Sequence, residues 1–247
     1  TPLDAMRAGG IFDQVAFGFH RYSVDGQWLV PHFEKMLYDQ ALLAMAYTEA
    51  FQTTGKAKYA QAAREIFTYV LRDMTDASGG FFSAEDADSE GKEGLFYVWT
   101  PEQVKEVLGA ERGDIFCRFY DITPNGNFED KTSIPHMARS LESMAPQFGM
   151  SDAELAELLE EGRQKLFAVR EHRVHPLKDD KILASWNGLM IAALAKGYQA
   201  LGEPAYLRAA AAAADFILST LRLEEGRLYR RYRHGEVAHR GYADDHA

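Results

Sequence analysis

The sequence predicts an all-α fold: a toroid of helical hairpins, incomplete within these 247 residues, with short β-hairpins at its rim. Three observations lead there. An internal repeat runs at an offset of 147 residues, aligning Gly55-x3-Tyr59 with Gly202-x3-Tyr206, Ala62-Ala63 with Ala209-Ala210, Leu71 with Leu218 and Gly79 with Gly226. Both copies read helix, glycine, helix, glycine, β-hairpin, the mark of an array whose units cannot bury their faces alone. Finally, a helix that is apolar over more than half its circumference alternates with one that is apolar on a single side, as inner and outer layers require.

Taken in order, Thr1 as N-cap and Pro2 at the first helical position open a short helix that ends near Gly9-Gly10. Residues 18–24 alternate as a strand does and turn at Asp25-Gly26. Pro31 suits a first helical position, so the two-sided helix is expected over 31–53, placing His32, Lys35, Met36 and Asp39 on one face and Glu34 and Tyr38 on the other. Gly55 stops it, and the one-sided helix follows over 56–74. A strand is expected at 81–83, an acidic loop at 85–94 and a second strand at 95–99. Capping boxes at Thr100-Pro-Glu-Gln103 and Ser151-Asp-Ala-Glu154 start helices reaching about 108 and 171, with a shorter helix near 114–120 between them. The second copy supplies helices ending at Gly202 and spanning 204–221, then strands over 227–233 and 236–239.

Composition bounds the function. Hydrophobic residues make up 47% and charged residues 26%, ordinary for a chain with a substantial core. Net charge is −10 with a pI near 5.3, which argues against nucleic acid as the main partner. No apolar run approaches the roughly 18 residues of a membrane span. Cys117 is the only cysteine, so no intrachain disulfide can form; a buried, inert thiol in a cytoplasmic, reducing compartment is expected. Asp86-Ala-Asp88-Ser-Glu90-Gly91 starts like a calcium loop, but its twelfth position is Tyr97, so a hydrogen-bonded acidic turn is the better reading. No zinc spacing or phosphate loop appears, and neither metal nor cofactor is expected.

Several motifs are long enough to carry a resemblance: Gly9-Gly-Ile-Phe-Asp13, Phe19-His-Arg-Tyr-Ser23, Val30-Pro-His-Phe-Glu-Lys-Met-Leu-Tyr-Asp39, Gly79-Gly-Phe-Phe-Ser-Ala-Glu-Asp-Ala-Asp-Ser-Glu-Gly91, Phe96-Tyr-Val-Trp-Thr100 and Asp179-Asp-Lys-Ile-Leu-Ala-Ser-Trp-Asn-Gly-Leu-Met190. Over essentially its whole length the chain resembles the YyaL-like, spermatogenesis-associated thioredoxin-domain family. That resemblance implies a six-hairpin, glycosidase-like (α/α) toroid similar to N-acylglucosamine 2-epimerases, normally joined to an N-terminal thioredoxin-like domain. Residues 1–247 are expected to be a single toroid domain or a fragment of one, without the thioredoxin-like part. The resemblance does not bring a reaction with it.

Candidate chemistry lies where polar and aromatic residues cluster before helices assigned to the inner layer: Trp28 to Asp39, Asp179 to Asn187 and Tyr242 to Asp245, with the acidic loop in a like position. If the inner helices run parallel, these clusters reach one rim, with His32, Asp86, Asp180 and Trp186 together. His32, Glu34, Asp86, Asp88, Asp180 and Asp245 are then acid–base candidates, with Asp179 in reserve. Trp28, Tyr38, Asp39, Trp99, Trp186, Asn187, Tyr242 and Asp244 are candidates for holding a small-molecule or sugar ligand. The leading expectation is a sugar epimerase or isomerase, or a glycosidase-like pocket. The alternatives are a non-catalytic binding or scaffold module working with a thioredoxin-like domain, and clusters that merely cap helices and tie loops.

Overall fold

The computed structural model describes residues 1–246. In chain order its elements are α1 (Pro2–Ala8), β1 (Tyr22–Ser23), β2 (Pro31–His32), β3 (Lys35–Met36), α2 (Leu37–Thr54), α3 (Ala57–Asp73), β4 (Ala84–Glu85), β5 (Asp88–Ser89) and β6 (Lys92–Glu93). They continue as α4 (Pro101–Leu108), α5 (Ala110–Phe119), α6 (Leu141–Met144), α7 (Asp152–Arg170), β7 (Lys178–Asp179), β8 (Ile182–Leu183), α8 (Ala184–Leu201), α9 (Pro204–Phe216), β9 (Tyr229–Arg233) and β10 (Glu236–Arg240). The chain is mostly helical with small antiparallel sheets. No helix among the described residues is long and apolar enough to cross a membrane.

Two compact units divide the chain. The first comprises residues 1–33 and 87–176, the second residues 34–86 and 177–247. In the second unit the repeat holds to the residue. Helices α2 and α8 each have 18 residues, and each is closed by a left-handed glycine, Gly55 at φ 66° and Gly202 at φ 75°. Strand register follows suit: Lys35 faces Glu85 and Met36 faces Ala84, while Ile182 faces Tyr232 and Leu183 faces Arg231. Helix α2 packs against both α3 and α8, and α8 packs in turn against α9. Gly197 lets α8 also approach α3, since a Cβ there would lie 2.6 Å from the Phe67 ring.

The helix expected from residue 31 instead begins at Leu37. Residues 31–32 and 35–36 are strands, paired with Tyr22–Ser23 and Ala84–Glu85. Pro31 thus sits at the start of a strand with Ser23 opposite, another place where a missing N–H is tolerated. Local pattern could not reveal this, because the ladder partners come from elsewhere in the chain. The acidic loop is likewise a hairpin. Glu90 (φ 54°) and Gly91 (φ 75°) form the two-residue turn between β5 and β6 with positive φ at both central positions, the backbone that matches strand twist.

The strand expected at 95–99 survives only as a bridge between Trp99 and Ser133. Carbonyls that a ladder would use are taken by a side chain: Arg173 Nη1 donates to the oxygens of Phe96 and Val98, both at 2.9 Å. The core of the first unit gathers Trp99, Val104, Phe116, Leu155 and Leu166 with Cys117. Cys117 is buried, and that burial pushes its thiol up to about 11, so it is inert at neutral pH. A second anchor there is ionic. Arg170, 1% exposed, makes a bidentate pair with buried Asp13 at 2.9 and 2.8 Å, and Asp13 also accepts the Val15 and Ala16 N–H groups.

Candidate functional site

The stretch that drew attention in the sequence straddles the two units: Trp28 and His32 belong to the first, Glu34, Tyr38 and Asp39 to the second.

In the first unit, β1 and β2 pair antiparallel with Tyr22 opposite His32. Asp25 shapes the connection between them. Its carboxylate accepts N–H groups from Gln27 and Val30, each at 2.6 Å, and from Leu29 at 3.2 Å. Burial raises the carboxyl pKa, but those bonds, with the Ser23 hydroxyl, outweigh it and hold the group below its ordinary value. Stability from a depressed carboxylate is present above the unfolded-state pKa near 3.9 and lost as pH falls through the folded value. Asp25→Ala should therefore cost about 1 kcal/mol at pH 7, from the net worth of lost hydrogen bonds. Urea melts of variant and parent should converge as the pH falls below the folded-state value.

Beyond this turn, His32 Nδ1 lies 2.7 Å from Glu93 Oε1. A carboxylate can only accept, so Nδ1 carries the hydrogen and the lone pair of the neutral ring is on Nε2. Glu93 also accepts the Phe33 N–H at 3.4 Å. The Tyr22 ring stacks on the imidazole with centroids 5.1 Å apart and planes 28° off parallel. Tyr22 is exposed, and its ring borders solvent beside the imidazole. Beneath this pair lies a firm floor. Buried His20 bonds the Phe33 carbonyl at 3.0 Å and meets the rings of Phe33 and Tyr97 edge-on at 5.1 and 4.7 Å. Gly94 lets the β5–β6 hairpin close on this floor, because a Cβ there would sit 2.5 Å from the Phe33 ring.

Glu93 is the residue that sequence reasoning missed. It belongs to the same acidic stretch as the candidates Asp86 and Asp88; all three are exposed, and Glu93 is the one bonded to His32. The available signal was the Glu-Gly pair at 90–91, which makes a two-residue hairpin and brings Glu93 opposite Asp88. Trp99 is 1% exposed and part of the core. Trp28 holds a left-handed backbone (φ 63°), and its carbonyl receives the Ile11 N–H at 3.1 Å.

The second unit brings Tyr38 and Trp186 into edge-to-face contact, centroids 4.8 Å apart. They border a groove of about 870 Å³ that also touches Leu189, Leu218, Asp244 and His246. Two of the candidate carboxylates of this unit face basic side chains: Asp179 meets Lys181 at 2.6 Å, and Asp180 meets Arg233 at 2.5 Å, with the His234 ring nitrogen 2.9 Å away. Asp245 is buried and accepts from Ser185 N–H, Tyr242 N–H and Arg230, which also reaches Asp244 at 3.4 Å. Asn187 presents no surface at all. Its amide receives the Phe81 N–H at 2.8 Å and donates to the Phe81 and Leu183 carbonyls at 3.0 and 2.9 Å. Glu34 and Asp39 are half-buried, and Tyr242 lies exposed beneath the Arg230 guanidinium. Among the described residues no group of three or more His, Cys, Asp or Glu side chains could hold a metal ion.

Comparison with known proteins places the chain. It is homologous over most of its length to spermatogenesis-associated protein 20: the human protein is 42% identical over 239 residues, covering 87% of this chain. A Caenorhabditis elegans protein of uncharacterised function is 36% identical over 240 residues. The chain spans only 30% of the human relative and 33% of the worm one. No family model matches it. Among solved structures, a D-mannose isomerase aligns over 93% of this chain and 53% of its own at 17% identity, with a TM-score of 0.31. Cellobiose 2-epimerase from Bacillus thermoamylovorans aligns over 93% and 72% at 12% identity and a TM-score of 0.28.

Proposed function

We propose that this chain is part of a six-hairpin (α/α) toroid that acts on sugars, and that His32, held by Glu93, moves a proton beside the sugar carbonyl as an epimerase or isomerase requires. The observation that carries the reading is the 2.7 Å bond between His32 Nδ1 and Glu93. It holds the imidazole in the tautomer whose Nε2 takes up a proton, and it leaves a carboxylate beside the imidazolium that would form. Tyr22 adds an exposed aromatic face of the kind on which the apolar side of a sugar ring rests. The toroid reading is supported by the register of the two hairpin copies in the second unit, since identical units that repeat their packing build arrays.

Proton transfer is favoured over glycoside hydrolysis by what the carboxylates do. A glycosidase needs two carboxyl groups flanking a bond, about 5 to 9 Å apart. Glu93 is engaged with His32, and Asp180 and Asp245 are engaged with arginines. The test is solvent exchange. The protein is incubated with a panel of aldoses, ketoses and disaccharides in deuterium oxide, and label at the carbon beside the carbonyl is followed by proton NMR. Exchange should appear with at least one sugar and fall about 10²–10⁴-fold in His32→Asn, the usual worth of a general base. Exchange with none of them, or equal exchange in the variant, would refute the assignment.

A further inference from the structure

The segment that leaves α7 in the first unit carries a cation whose charge is not met. Arg173 is half-buried, its Nη1 is spent on the Phe96 and Val98 carbonyls, and its guanidinium lies 3.9 Å from the Trp99 ring centre. Carbonyl dipoles and a ring face ease the burial of a cation but bring no net negative charge. No carboxylate among the described residues is within ion-pair distance of Arg173, and its neighbour Arg170 has Asp13 for itself. Burial, and after it the like charge of Arg170, push the Arg173 guanidinium down to about 10. A charge drawn even partly out of water is ordinarily paired, so one left uncompensated marks a place for a counter-charge from outside.

Arg173 also lines a cavity of about 380 Å³. Its Nε and Nη2 make no hydrogen bond to the described residues, so two N–H directions of the planar fork remain for a ligand. Gln103, Thr132, Ser89 and His172 also line it, the first three with side chains already hydrogen-bonded within the chain, and Glu90 contributes the one carboxylate of the lining, beyond ion-pair reach of the guanidinium. The volume falls at the small end of the roughly 300–1,000 Å³ usual for small-molecule sites. We infer that this cavity binds the oxyanion head group, phosphate or carboxylate, of a small organic molecule, with Arg173 as its bidentate anchor. Guanidinium forks match the spacing of such oxygens, which an ammonium does not. The inference is independent of the His32–Glu93 chemistry.

The experiment uses ¹⁵N-labelled whole chain and follows the side-chain Nε–Hε signals of its arginines. Inorganic phosphate and, separately, acetate are titrated against chloride at equal ionic strength. One of the two should shift the Arg173 signal saturably, well beyond the shifts at exposed Arg112 and Arg240, and the tighter of the two identifies the head group. Arg173 is assigned by the signal lost in Arg173→Lys, a variant that keeps the charge and can still reach one carbonyl. The same anion should raise the thermal midpoint of the parent and of Arg240→Lys but not of Arg173→Lys. Shifts no larger than those from chloride, shifts spread evenly over surface arginines, or a midpoint gain unchanged in Arg173→Lys would each overturn the site.

Discussion

Replacing Arg170 by methionine should destabilise the protein by about 3–5 kcal/mol, the usual consequence of removing one partner from a buried ion pair. Methionine fills the space beside Phe96 and Tyr97, whose rings lie 4.9 and 5.3 Å from the guanidinium, so the loss is electrostatic more than volumetric. What remains is a buried carboxylate at Asp13, still met by the Val15 and Ala16 N–H groups but without its counter-charge. The double variant Asp13→Asn/Arg170→Met should recover part of the loss, because an amide still accepts those N–H groups without charge. Urea unfolding of the two variants and the parent measures this, and a double variant no better than the single would mean that the arginine acts by packing alone. The pair joins residues far apart in sequence within the first unit, so unfolding should remain cooperative there.

Asn187→Asp should cost almost as much, roughly 2–4 kcal/mol, if each buried group left without a partner costs about 1–3 kcal/mol. The aspartate can still accept the Phe81 N–H, but it cannot donate to the Phe81 and Leu183 carbonyls that Asn187 Nδ2 serves. Asn187→Ala removes all three bonds and adds a cavity but buries no charge, so it should lose less than the aspartate, whose second carboxylate oxygen would face two carbonyl oxygens. Denaturant melts rank the two, and the opposite order would show that the aspartate is buried as the neutral acid. Gln40, the residue 147 positions earlier, uses its amide the same way, bonding the Met36 carbonyl at 3.3 Å. A buried amide at this position is thus a device of the repeat. It ties a long helix to the strand before it, and Asn187 extends the tie to the hairpin at Phe81.

Asn187 also illustrates where sequence reasoning about the site stops. Its position beside Trp186, before an inner helix, marked it as a ligand contact, and Trp99 was marked for its aromatic face. Both lie inside, because burial depends on what packs over a residue. Neighbours from Phe81 and from the core around Phe116 are separated from them by long stretches of chain. Asp180 and Asp245 are acid–base candidates by sequence; the arginines that engage them lie on β9, which pairs with β8 only after the intervening helices have folded back.

The sequence by itself determined the repeated hairpins of the second unit. Helical periodicity, the glycines at 55 and 202, and the capping boxes at Thr100 and Ser151 act within one or two turns, so they are written locally and were legible. The offset of 147 residues carries through to strand register, which makes the copies alike in packing as well as in pattern. Tertiary structure alone decided that residues 31–32 and 35–36 are strands and that the first long helix waits until Leu37, since their ladder partners, Tyr22–Ser23 and Ala84–Glu85, lie elsewhere in the chain. It also decided which carboxylate meets His32. Glu93 stands 61 residues away and arrives through a two-residue turn and a glycine closing on Phe33. A side-chain pair of that kind leaves no periodic trace, because only the folded backbone sets the distance between its members.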